Sequence, residues 1–266
     1  ADDAIRWGTA IRVDDAWRLR VRLGALSLPP GARMWVYGEA EESVGPFGAE
    51  LIGPDGTLWT PSVGGPEIRL EIEVPSGSRA GEEAATLRVE SVAELFPLDE
   101  RGLPMRAGTR LEDTSCLIDA ACADSGDFAS IDTVKDAVAH LQFQVGGSSY
   151  ICTGSLVNDK VQDTWVPYLL TANHCFSTQS AASSLEPFFD YFASSCGGAA
   201  PSLGSRPRST GATLLKTSAT NDFSFVRLNN LPSGRSFLGW TTSEPGGGQK
   251  LYRISHPLGL KGHFST

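Results

Sequence analysis

The stretch Tyr168-Leu-Leu-Thr-Ala-Asn-His-Cys175 ends an apolar strand in a small-residue turn that presents one histidine, His174. A neutral imidazole near pH 7 is the side chain best suited to take a proton from a hydroxyl, provided it is held rigidly. Cys175 beside it can be stapled back to Cys152 in the upstream Cys152-Thr-Gly-Ser-Leu-Val157. The plainer reading is a histidine that merely packs beside a structural disulfide. The T-A-x-H-C run, the upstream C-x-G-S-L-V and a cysteine pair bracketing both favour a general base instead.

A general base needs an orienting partner. Thr220-Asn-Asp-Phe-Ser-Phe-Val-Arg-Leu228 places Asp222 where a turn becomes an apolar strand, with Arg227 facing out. A carboxylate there accepts a hydrogen bond from the histidine Nδ1, which fixes the tautomer and stabilises the imidazolium formed during catalysis. An ordinary turn or cap aspartate is the alternative. Asp190, Asp159 and Asp163 are the fallback candidates, without comparable context. The chemistry also needs a hydroxyl nucleophile surrounded by backbone amides, and no G-[DN]-S-G segment occurs in the sequence. Four histidines without ligand spacing, and no C-x-x-C pair, predict neither a metal site nor a cofactor.

Cys116-Leu-Ile-Asp-Ala-Ala-Cys122, then C-T-G-S-L-V-N, then L-T-A-x-H-C resemble the trypsin-like serine peptidases, and within them the bacterial lysyl endopeptidase branch. The resemblance runs from about Cys116 to the last residue. It implies a chymotrypsin-like double β-barrel, with His174 as catalytic histidine and Asp222 as orienting aspartate. It implies disulfides Cys152–Cys175 and Cys122–Cys196, and for Cys116 a partner late in the second barrel. Triad order in the family is His, Asp, Ser, so Asp124-Ser125-Gly126 is excluded as nucleophile, and Ser155 matches a structural position. The nucleophile is expected beyond Thr266, and the 266-residue chain by itself is expected to be inactive. His256 in I-S-H-P matches a position near the substrate pocket, without a catalytic role.

The elements that must position these residues are strands. Trp17-Arg-Leu-Arg-Val-Arg-Leu23 puts Trp17, Leu19, Val21 and Leu23 on one face and arginines on the other, and Glu67–Val74 alternates likewise. The arginine and glutamate rows are expected to be solvated strand faces. Trp35, Trp59 and Tyr37 are expected to pack rather than to stack a ligand. Short strands between turns such as Pro29-Pro-Gly31 and Pro54-Asp-Gly56 predict an all-β chain whose leader is a β-sandwich or jelly-roll-like module over residues 1–95. A linker over 96–115 carries Arg101, Arg106 and Arg110, a candidate site of processing, and the resemblance implies that residues 1–110 act as a propeptide. The peptidase-like domain is predicted over 116–266, its first barrel over 116–232 and the start of a second over 233–266. In the first, Ala139–Val145 alternates with His140 on the polar side, and Gly239-Trp240 and Lys250–Pro257 are predicted strands of the second.

A net charge of −9 opposes nonspecific nucleic-acid binding, and no stretch is apolar enough to span a bilayer. Five cysteines confined to Cys116–Cys196 suit an exported disulfide framework. What the resemblance implies is a secreted serine endopeptidase of bacterial type, acting on polypeptides after Lys or Arg, and the leader is expected to pack on its own peptidase domain. The first lysine is Lys135, so a strictly lysine-specific enzyme could not release the leader itself. The rival is a non-catalytic homologue that binds or regulates partners through the leader.

Overall fold

The strand periodicities reappear in a computed structural model that describes residues 4–75, 85–95, 117–126, 128–161 and 163–265. The predicted linker with its three arginines, and Cys116, lie outside the described residues. In the first 95 residues, β1 (Ile5–Arg12), β7 (Glu67–Val74), β3 (Arg33–Tyr37) and β4 (Ser43–Phe47) form one antiparallel sheet in that order. A second sheet is centred on β2 (Arg18–Ser27), which pairs with β5 (Leu58–Trp59), β6 (Val63–Gly64) and β8 (Thr86–Leu95). Leu19, Val21 and Leu23 of β2 share one core with Met34, Val36, Ile68, Leu70 and Ile72 of the first sheet. Burial of alternate side chains is what selects this register, because a slip of one residue would turn every apolar side chain outward. Trp17 stays outside β2 and is 37% exposed, whereas Trp59 is buried as expected.

The arginine row of β2 corrects the sequence reading. Arg18 and Arg20 are buried, not solvated. The outer face of β2 meets the later half of the chain instead of water. Arg20 Nη1 donates to Ser184 O at 2.8 Å and its Nε to Thr60 O at 3.2 Å. Its guanidinium lies 3.7 Å from Glu186 Oε2 and over the Trp59 ring. Burial pulls the Arg20 group down from its ordinary pKa, and Glu186 opposes that shift. Arg18 and Arg208 each donate to Glu42 Oε1 at 2.9 Å, while Ser62 N and Arg208 Nη1 reach Glu186 Oε1 at 2.9 and 3.4 Å. Burial pushes Glu42 up, but the hydrogen bonds from Arg18, Gly64 N and Arg208 outweigh it and hold the carboxyl below its ordinary range.

After Ile118 the chain builds a six-stranded antiparallel sheet. β10 (Val138–Val145), β11 (Ser148–Leu156), β12 (Tyr168–Thr171), β13 (Glu186–Phe189), β14 (Ala212–Ser218) and β15 (Phe223–Leu228) are arranged β13-β10-β11-β12-β15-β14. The segment that leads into β14 runs beside β13: Phe189 N donates to Pro207 O, Ser209 N to Pro187 O and Gly211 N to Leu185 O. Leu141, Phe143, Leu156, Leu169, Phe189, Val226 and Leu228 form its core. Gly154 of the C-T-G-S-L run is a packing residue, since a Cβ there would sit 2.7 Å from Leu169 Cδ2 and 2.9 Å from Leu141 Cδ1. The helices are short, α1 (Ile131–Ala137) and α2 (Gln179–Ser183). Among the described residues no helix is long and apolar enough to cross a membrane. Among the described residues the disulfides are Cys152–Cys175 and Cys122–Cys196, both pairings that the resemblance implies.

The C-terminal segment departs from expectation in extent. β16 (Arg253–Ser255) and β17 (His263–Ser265) join β9 (Ile118–Asp119) in a three-stranded sheet. Gly239-Trp240 is not a strand; Leu238 makes a single parallel bridge to Val157, and Trp240 Nε1 donates to Asn158 O at 2.9 Å. The glycine run 246–248 that follows favours irregular backbone over a ladder.

His140 is the second correction. It is fully buried, because the polar face of β10 is covered by Tyr191 and by His256, whose ring centroid lies 5.5 Å away. His256 N donates to Thr153 Oγ1 at 2.8 Å, and its Nδ1–H to Leu260 O at 3.0 Å. Burial lowers both histidines, His256 to about 4 and His140 well below its ordinary value. Since the unfolded imidazole titrates near 6.5, the unfolded state takes up protons first as pH falls. The stability that neutral burial preserves is therefore complete above about pH 6.5 and is lost as pH drops towards about 4. Between pH 7 and pH 4.5, His256 is expected to account for a loss of about 2–3 kcal/mol. Urea unfolding across that range should show a shallower pH slope for His256→Gln than for the parent; equal slopes would contradict the assignment.

Candidate active site

His174 stands one turn beyond β12, and Asp222 stands in the turn between β14 and β15. Because β12 pairs with β15 through Thr171↔Ser224, the two turns open at the same end of the sheet. His174 Nδ1 lies 2.8 Å from Asp222 Oδ2, and the His174 backbone N–H donates to Asp222 Oδ1 at 2.9 Å. His174 thus contacts both carboxylate oxygens. Asp222 holds a left-handed backbone, φ 47°, a conformation that aspartate tolerates better than most residues. The His174 backbone N–H, then its ring, hold the Asp222 carboxyl below its ordinary range.

With Nδ1 donating to the carboxylate, the Nε2 of a neutral ring is a free acceptor. The ring is open to solvent, its side chain 72% exposed against 52% for Asp222. That arrangement can take a proton at Nε2 from a hydroxyl and return it to a leaving group. The sulfurs of Cys152 and Cys175 lie within 4.8 Å of a His174 ring nitrogen. They are bonded to each other and offer no thiolate to a metal.

The fallback aspartates are engaged elsewhere. Asp190 makes a bidentate pair with Arg235, at 2.6 and 2.7 Å. Asp159 accepts from Val161 N and Thr164 Oγ1 within its own loop. Asp163 lies in the same exposed loop. His256 is buried against Tyr191 and Phe192 and is not brought to His174. Asn173, beside the histidine, was not among the sequence candidates; its Nδ2 donates to Thr217 Oγ1 at 2.6 Å.

Residues 112–266 match the lysyl endopeptidase C-terminal domain, and residues 9–96 match the lysyl endopeptidase N-terminal domain. The chain belongs to the lysyl endopeptidase family. A lysyl endopeptidase of Pseudomonas aeruginosa is 27% identical over 253 residues, which cover 91% of this chain and 52% of that protein. Secreted RxLR effector protein 73 of Plasmopara viticola is 35% identical over 130 residues, 47% of this chain and 31% of that protein. The chain thus spans about half the length of the bacterial relative. The all-β build, the antiparallel sheets and the disulfides agree with a trypsin-like member of this family.

Proposed function

We propose that this chain carries the general-base half of a secreted serine endopeptidase that cleaves polypeptides after basic residues. His174 acts as base and then acid, and Asp222 orients it. The single observation that carries the reading is the paired contact of Asp222 with both Nδ1 and the backbone N–H of His174. In this reading residues 1–95 form a β-sandwich leader and residues 116–232 a first barrel, with 233–266 entering a second. The backbone bonds between 185–189 and 207–211 support a closed barrel. The contacts of Arg20 with Ser184 O and of Arg208 with Glu42 support a leader that packs on its own peptidase domain. Export is supported by the disulfides and by the relatives' family.

The nucleophile belongs, in this proposal, to sequence following Thr266, in keeping with the 52% coverage of the Pseudomonas protein. The test is to read the coding DNA past Thr266 and to treat the whole product with a fluorophosphonate. A G-x-S-G segment whose serine is labelled only when His174 is intact is the expected result. A stop directly after Thr266, or labelling indifferent to His174→Ala, would overturn the proposal.

A further inference from the structure

An exposed His–Asp pair poses a positioning problem. Water competes for every hydrogen bond in it, so the geometry has to be imposed from the covered side. The two turns that carry His174 and Asp222 are joined beneath the pair by side chains with no part in the proton transfer itself. Asn173 Nδ2 donates to Thr217 Oγ1 at 2.6 Å. Thr217 Oγ1 lies 2.9 Å from Ser224 Oγ. Ser224 Oγ donates to the carbonyl of Phe176, and Ser224 is fully buried.

Proton counting gives this chain a direction. A carbonyl only accepts, so the one hydroxyl proton of Ser224 is committed to Phe176. The 2.9 Å contact must then be donated by Thr217. Phe223 O, 3.1 Å from Thr217 Oγ1, competes for that proton, but donating to it would leave two hydroxyl oxygens facing each other without a hydrogen. Thr217 in turn accepts from the amide of Asn173, which has protons to give. The run is Asn173 to Thr217 to Ser224 to Phe176, and it straddles His174 and Cys175 from both sides. Thr217 and Ser224 are also opposite one another in the β14–β15 register, at the base of the turn that carries Asp222.

We propose that Asn173, Thr217 and Ser224 are positioning residues: a one-way hydrogen-bond clasp that locks the histidine turn to the aspartate turn and so sets the His174–Asp222 contact. The proposal rests on the reading of His174 and Asp222 as a catalytic pair. Its test needs no nucleophile, so failure of one is distinguishable from failure of the other. Covalent staples alone do not accomplish the same thing: Cys152–Cys175 ties the histidine turn to β11, not to the turn of Asp222.

The experiment is NMR on the isotope-labelled 266-residue chain, following the Asp222 carboxyl carbon through an acid titration and the His174 ring nitrogens at neutral pH. Thr217→Val keeps the shape and removes both donor and acceptor. It is expected to move the Asp222 midpoint up towards the ordinary value near 3.9 and to lose the Nδ1-protonated ring signal. Thr217→Ser restores the hydroxyl and should match the parent in both readouts. A merely structural threonine would lower the unfolding midpoint but leave titration and tautomer unchanged, and that result would overturn the proposal. Should Thr217→Val fail to fold, Asn173→Ala on the exposed side of the clasp carries the same expectation. Parent-like titration and tautomer in that variant would overturn it equally.

Discussion

Under the proposed function, Asp222→Asn in the longer protein is expected to lower kcat about ten-thousand-fold and leave KM nearly unchanged. The carboxylate accepts twice from His174, at Oδ1 from the backbone N–H and at Oδ2 from the ring. An asparagine has one acceptor and one donor at those places. If its oxygen keeps the backbone bond, its NH2 faces Nδ1 and forces the ring proton onto Nε2. A ring protonated at Nε2 cannot take the hydroxyl proton, which is the catalytic failure. If the amide is turned over, its NH2 meets the His174 backbone N–H, donor against donor, and the turn loses a bond. Either way substrate contacts are untouched, so the loss should fall on kcat. Steady-state kinetics on a peptide ester or amide would show this. A loss of less than about tenfold would mean that Asp222 does not orient the base.

Glu186→Ala is expected to destabilise the fold by about 3–5 kcal/mol. The Glu186 carboxylate is fully buried and faces two arginines, Arg20 at 3.7 Å and Arg208 at 3.4 Å, while accepting Ser62 N at 2.9 Å. Removing it leaves Arg20 without its buried counter-charge and Ser62 N without an acceptor. Arg208 retains Glu42. Replacing the pair together, Arg20→Met with Glu186→Leu, should recover the part of the loss due to the uncompensated Arg20 charge, while Ser62 N stays without an acceptor. Urea unfolding at pH 7 of the parent, the single and the double variants reads all three. A single-variant cost under about 1 kcal/mol would show that the β2 face is not held by this charge.

Both expectations depend on facts of different legibility. His174 and Asp222 could be singled out because each sits in a local pattern, a strand closing into a turn at His174 and a turn opening into a strand at Asp222. Strand alternation along β2 and β7 was equally local, and so was the apolar set Leu19, Val21 and Leu23 that fills the core. The disulfides Cys152–Cys175 and Cys122–Cys196 came from the family resemblance and stand in the structure.

The other face of each strand was not readable. Period-two alternation says that two faces differ; it does not say what lies against the polar one. Arg18 and Arg20 looked solvated by pattern, yet their face meets Ser184 and Glu186, more than a hundred residues further along the chain. His140 looked like a surface histidine by the same rule, and the segment ending in His256 covers it. The clasp of Asn173, Thr217 and Ser224 is likewise invisible in one dimension, since it depends on the β12–β15 and β14–β15 registers together. The sequence by itself therefore determined which residues could do chemistry and which strands would present them. Only the tertiary structure decided which polar groups are dry, because burial of a polar side chain is set by a partner distant in sequence.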